Sequence, residues 1–265
     1  MISLAHPTLP DLSPPELVHV AANTGYDAVG FRVVGLDAKT AEASIFKDEA
    51  LLRATAAALE SSGVSVLDVE VIAIGPDTRA ADFRPLFEAG SRLGARYVVA
   101  VSMDSDEARV IQRYGELCTL AQTYGLGIAF EFMMRGGIRT LDAAHRVVTG
   151  AGCSNGGVLV DALHFYRAGT TVADLAGLDP GLFPYMQIND VQDLEAARSA
   201  SPSASVRKVL PGTGDLRLSE LLQPLPNGIP IAVEVHPPIG LEHRDAEDWA
   251  RRALQATRAE VPGWN

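Results

Sequence analysis

Short apolar runs alternate with longer amphipathic ones along the chain, and that alternation restricts the folds open to it. Runs of strand length fall at 2–6, 28–34, 64–74, 97–103, 127–133, 158–163, 185–189 and 229–235. Stretches with helical periodicity lie between them, at 14–24, 48–62, 82–93, 104–124, 141–149, 172–177, 218–222 and 246–258. Strands separated by helices pair in parallel, because each crossover returns the chain to the same end of the sheet. Eight such units in 265 residues match the size of a single-domain α/β fold, the (β/α)8 TIM barrel. A doubly wound open sheet is the runner-up, but no Gly-x-Gly-x-x-Gly follows the first strand. Local punctuation agrees with the alternation. Ser13 stands before Pro14, Pro15 and Glu16, a helix start with proline in the first turn and an acid behind it. Gly25, Gly63, Gly94 and Gly125 each close an amphipathic run just before a strand. The segment 196–205, rich in alanine and serine, reads as a loop-like insertion after the seventh strand.

Composition excludes several classes of function. A net charge of −11 repels nucleic acid and anionic membranes alike, so neither is expected as a partner. No run reaches the roughly 18 apolar residues of a membrane span. Residues 1–6 enter a strand at once, with no charged segment leading an apolar one, so a cytoplasmic protein is expected. Cys118 and Cys153 fit no metal-binding spacing and read as free thiols. The only lysines are Lys39, Lys47 and Lys208, all outside the expected strands, which counts against a Schiff-base aldolase.

Against this background four polar residues stand out, each at the end of an apolar strand: Glu131, Asp161, Gln187 and Glu234. Burying an ionised carboxylate is costly unless a partner compensates it. Three carboxylates and an amide, all oxygen donors from separate strands, suggest one shared cation. Strand alternation supports an inward facing. Ala129, Glu131 and Met133 share a face, as do Ala232 and Glu234, and Ala28, Gly30 and Arg32. In the third strand Asp68 and Glu70 oppose Leu67, Val69 and Val71. The bulky faces are expected under the helices, and the small or polar faces inside the barrel near its C-terminal mouth. His6 and Arg32 end the first two strands and read as substrate contacts, and His164, three residues past Asp161, reads as a pocket residue. Glu70 reads as a further substrate contact, or as a support for one. His236 shares the facing of Glu234 and is a weaker pocket candidate.

At these residues the chain resembles the xylose-isomerase-like TIM-barrel superfamily of sugar isomerases and epimerases. The resemblance covers nearly the whole chain and rests on the order of several motifs. They are Ser13 to Leu17, the run from Ala21 to Gly30, Val160-Asp161-Ala162-Leu163-His164, and Leu210-Pro211-Gly212-Thr213-Gly214-Asp215. It implies a divalent metal, Mn²⁺ or Mg²⁺ before Co²⁺ or Zn²⁺, on Glu131, Asp161, Gln187 and Glu234. Gln187 stands where many relatives have histidine and is similar to the hydroxypyruvate isomerase branch. Relatives often carry an arginine soon after this ligand; here Asn189, Asp190, Val191, Gln192 and Asp193 follow. The Asp161 and His164 pair resembles the family's substrate-binding histidine motif.

The expected activity is a metal-dependent isomerase or epimerase of a ketose or small hydroxy-keto acid, acting through an enediolate. Glu131 and Glu234 are expected to move the proton. A dehydratase or other lyase on a related hydroxy-keto or cyclic polyol substrate starts with the same proton removal and is the alternative. An apurinic endonuclease-type nuclease and a non-catalytic sugar-binding barrel are further readings, the first opposed by the acidic charge and the oxygen-rich strand ends. A homo-oligomer is an expectation of the family alone.

Overall fold

The computed structural model describes residues 1–33 and 48–262. Val34, expected to end the second strand, and Lys39 and Lys47 lie outside the described residues. The strands are β1 (Ile2–Ala5), β2 (Ala28–Arg32), β3 (Ser65–Ile74), β4 (Tyr97–Ser102), β5 (Gly127–Glu131), β6 (Gly156–Asp161), β7 (Met186–Ile188) and β8 (Ile231–Val233). They pair in chain order as a closed barrel, all parallel, with β8 returning to β1 through the Ser3 and Ala232 register. The helices on the outside are α1 (Pro14–Thr24), α2 (Glu49–Ser62), α3 (Arg84–Arg92), α4 (Glu107–Gln122), α5 (Leu141–Ala151), α6 (Ala162–Arg167), α7 (Val172–Ala176), α8 (Leu194–Ser199), α9 (Leu218–Leu222) and α10 (Ala246–Glu260). The chain is a single-domain TIM barrel.

The expected helix signals act as anticipated at several ends. Glu16 accepts hydrogen bonds from the backbone N–H and hydroxyl of Ser13, at 2.8 and 2.6 Å, closing the first turn of α1. Gly25 and Gly63 cap α1 and α2 at φ of 90° and 73°, a conformation that favours glycine. Two elements differ from expectation. The sixth strand stops at Asp161, whose carboxylate caps the new helix α6 by accepting the His164 N–H at 2.9 Å. The segment expected to be a loop is partly helical, since Asp193 caps α8 through the Ala196 N–H at 2.8 Å.

Two apolar layers hold the barrel. Val29, Phe31, Ile128, Phe130 and Val233 face outward under the helices. Ala28, Val99, Ala129, Leu159, Tyr185 and Ala232 fill the interior. β3 departs from simple alternation: Leu67 and Val71, expected outside, join the interior group. The reason is two irregularities in pairing, one opposite Val29 and Gly30 and one between Val69 and Ile72, each of which places an extra β3 residue against its neighbour. Tyr114 of α4 ties together the two strands that end in Glu131 and Asp161. Its hydroxyl donates to the Ile128 carbonyl at 2.9 Å and accepts the Gly157 N–H at 3.0 Å. Glycine is required at 156 because a Cβ there would lie 2.7 Å from that hydroxyl.

Candidate metal centre and active site

The C-terminal mouth of the barrel opens into a cavity of about 270 Å³. Arg32, Glu70, Glu131, His164, Glu234 and His236 line it, joined by Lys208 and by Ala204, Ser205 and Val206 from the insertion after β7. Glu131 is the last residue of β5, Asp161 the last of β6, and Gln187 the middle of β7, while Glu234 follows β8 directly. β5 to β8 therefore carry Glu131, Asp161, Gln187 and Glu234 at or next to their ends, and Glu70 comes from the middle of β3; all five are buried. Asp161 and Gln187 are at most 1% exposed and are not among the residues that line the cavity.

Each buried carboxylate has its own compensation. Glu70 Oε2 accepts from Arg32 Nη2 at 2.8 Å, and Glu70 in turn raises the guanidinium pKa above its ordinary range. Asp161 is the most fully bonded of the set. Oδ1 accepts the His164 N–H, while Oδ2 accepts Asn189 Nδ2 at 2.7 Å and Lys208 Nζ at 2.8 Å. Burial works against its ionised form, but Lys208 and His164 outweigh burial and hold its carboxyl below the usual range. Glu234 Oε1 also lies 2.8 Å from Lys208 Nζ. Glu131 has weaker support: His164 Nε2 is 3.6 Å from Oε1, and burial followed by the negative charge of Asp161 pushes its carboxyl well up. Beneath these groups Asp68 is raised as well, by burial and then by Glu70.

Five carboxyl groups thus share the barrel interior with Arg32 and Lys208 as the fully basic partners named by these contacts. A cation added among carboxyls crowded in this way would favour their ionised forms and be held by them. The donor atoms fit one too. Gln187 Oε1 is buried without a hydrogen-bond partner, as is His164 Nδ1. Among the described residues, Glu131, Asp161 and His164 place one ligand atom each within 4.8 Å of the others. That grouping brings in His164, which the sequence marked only as a substrate contact.

The structure treats the remaining expected site residues unequally. Arg32, Glu70 and His164 face the cavity. His6 does not line it; its Nε2 lies 2.9 Å from the Leu12 carbonyl, and its Nδ1 accepts the Arg32 N–H at 3.2 Å. Burial lowers its pKa, in keeping with a neutral ring that has both nitrogens engaged by backbone. His236 does reach the cavity wall, and its Nδ1 accepts the Lys208 N–H at 3.0 Å.

Three residues important to the site were not selected from the sequence. Lys208 sits on no strand, so strand alternation says nothing of it. Asn189 holds Asp161 and accepts the Leu163 N–H at 3.0 Å; its place two residues after Gln187 on the same strand face was the available signal. Arg167 pins the insertion over the mouth, donating to the carbonyls of Ala197, Ser201 and Ala204.

Comparison with known proteins agrees with the fold. An inosose isomerase of Halalkalibacterium halodurans is 25% identical over 151 residues, 53% of this chain and 52% of that protein, so the match spans about half the length of either. A solved IOLI protein carrying a bound zinc atom superimposes with a TM-score of 0.81 at 22% identity, covering 100% of this chain and 99% of that one. D-psicose 3-epimerase, solved in the presence of D-fructose, gives a TM-score of 0.76 at 14% identity, covering 99% of both chains. The family model described as xylose isomerase-like TIM barrel matches residues 18–260, and the chain belongs to that family.

Proposed function

We propose that this chain is a divalent-metal-dependent isomerase or epimerase of a small polyhydroxy ketone or hydroxy-keto acid. The observation that carries the proposal is the convergence of buried Glu131 and Glu234 with Asp161, Gln187 and His164 at one barrel mouth. The cavity, about 270 Å³, suits a small molecule. The inosose isomerase relatives make a cyclic polyol ketone the first substrate to test.

Glu131, Asp161, Gln187 and Glu234 would hold the ion, with His164 near enough to share it; an oxygen-rich set favours Mn²⁺ or Mg²⁺. A divalent ion held there would supply Lewis acidity, stabilising negative charge on the substrate carbonyl as the neighbouring C–H is broken. The residues supply the remaining chemistry. One of Glu131 and Glu234 takes the α-proton and the other returns a proton to the resulting enediolate, either at the opposite face of the same carbon or at the adjacent carbon. Arg32, fixed by Glu70, presents its exposed edge to a substrate hydroxyl or carboxylate. His164 hydrogen-bonds a substrate oxygen. The insertion pinned by Arg167 covers the mouth and limits water at the reacting carbon.

The test is an NMR assay of the protein with Mn²⁺ or Mg²⁺ against inososes, ketoses and hydroxy-keto acids. An isomer or epimer of one of these is expected. An unsaturated product without an isomer would replace this reading with a dehydratase.

A further inference from the structure

Lys208 is the one lysine among the described residues, and it is buried where the proposed metal ligands meet. Its side chain is only 7% exposed, and its Nζ lies 2.8 Å from both Asp161 Oδ2 and Glu234 Oε1. These two carboxylates arrive from β6 and from the residue after β8, so the lysine bridges separate parts of the mouth. Its backbone is held as firmly as its side chain. The Lys208 N–H donates to His236 Nδ1, the Lys208 carbonyl accepts the His236 N–H at 2.9 Å, and the next residue, Val209, exchanges backbone hydrogen bonds with Asp190 in both directions. A carboxylate has about four lone-pair sites. Asp161 already accepts from the His164 N–H, Asn189 and Lys208, which leaves room for about one more partner.

We infer that Lys208 is a resident cation that competes with a divalent ion for Asp161 and Glu234, and so keeps the metal affinity of this chain low. The inference rests on the metal-dependent reading above. Two like charges that share the same oxygen atoms repel one another, whereas a neutral side chain of similar length leaves both carboxylates for the ion. Any ion that enters the wild-type site must share these two carboxylates with the ammonium or move it aside.

The test is calorimetric titration of Mn²⁺ into the wild-type protein, Lys208→Met, Lys208→Gln and Lys208→Arg, with circular dichroism to follow folding. The neutral variants are expected to bind Mn²⁺ at least about ten-fold more tightly than wild type, and Lys208→Arg within a few fold of it. A neutral variant that unfolds without metal and refolds with Mn²⁺ supports the inference equally, because the ion then replaces the lost charge. Equal or weaker binding by both neutral variants overturns the competition while leaving the metal reading intact. A neutral variant that stays unfolded with Mn²⁺ also overturns it. No binding by any of the four proteins overturns the metal reading, and the inference with it.

Discussion

Replacing Asp190 with alanine removes the carboxylate that ties residues 214–216 to the end of β7. Asp190 is fully buried and follows the strand that bears Gln187. Its Oδ1 accepts the N–H groups of Val191 at 2.8 Å and Leu216 at 2.9 Å, and its Oδ2 accepts the Gly214 N–H at 2.9 Å. The fit is close, since a Cβ on Gly214 would lie 2.6 Å from Oδ1 and 2.1 Å from the Val191 carbonyl oxygen. Hydrogen bonds to a charged group contribute about 1.5–3 kcal/mol each, which sets an upper limit of roughly 5–9 kcal/mol for three. Two effects reduce this limit. The Val191 bond is local, and alanine removes the cost of burying the charge, so the expected net loss is about 3–5 kcal/mol. Asparagine keeps one acceptor oxygen and offers an NH₂ where the other stood, so about half that loss is expected. The assay is urea unfolding followed by far-ultraviolet circular dichroism, with the slope unchanged and the midpoint lowered in the order wild type, Asp190→Asn, Asp190→Ala. A loss below about 1 kcal/mol for Asp190→Ala would refute the reasoning, since the three N–H groups would then have partners other than this carboxylate.

Other outcomes follow from the same geometry. Glu131→Gln and Glu234→Gln should each lower kcat by about 10²-fold or more while the thermal midpoint stays within a few degrees or rises, as read from steady-state rates and melting curves. Asp68→Asn should raise the melting temperature by a few degrees at pH 8 and by less at pH 4.5. The sign comes from the raised carboxyl of Asp68: the folded state holds its proton above the pH at which the unfolded state releases it, so stability falls as pH rises, and asparagine removes that loss. Equal gains at both pH values would contradict it. Arg167→Met should raise KM more than it lowers kcat, because it frees the carbonyls that fix the insertion over the cavity.

The barrel was legible in the sequence because its signals are local and repeat. Capping at Ser13 and Glu16 and the glycines at 25 and 63 depend on residues near in sequence, and they marked α1 to the residue. Alternation anticipated that Glu131 and Glu234 face the cavity, because β5 and β8 are short and regular. It failed at Leu67 and Val71, where extra β3 residues in the pairing shift the period, a matter settled between strands rather than within one. His6 shows a second limit. The chain turns into a 3-10 helix at that residue, and the backbone takes both ring nitrogens. Lys208 is the largest gap. Its partner Asp161 lies 47 residues away, and the backbone pairing of Asp190 with Val209 and of Lys208 with His236 carries the lysine back to the mouth.

The most direct test of the central claim is the fate of the substrate α-hydrogen when the Mn²⁺-loaded protein turns over a cyclic or linear polyhydroxy ketone in D₂O. Proton transfer through Glu131 and Glu234 predicts an isomer or epimer carrying solvent deuterium at the carbon that receives the proton, and Glu131→Gln and Glu234→Gln should abolish that incorporation. Isomer formed by the wild type with no deuterium would show that no second, solvent-exchanged carboxylate returns the proton, and would contradict the account.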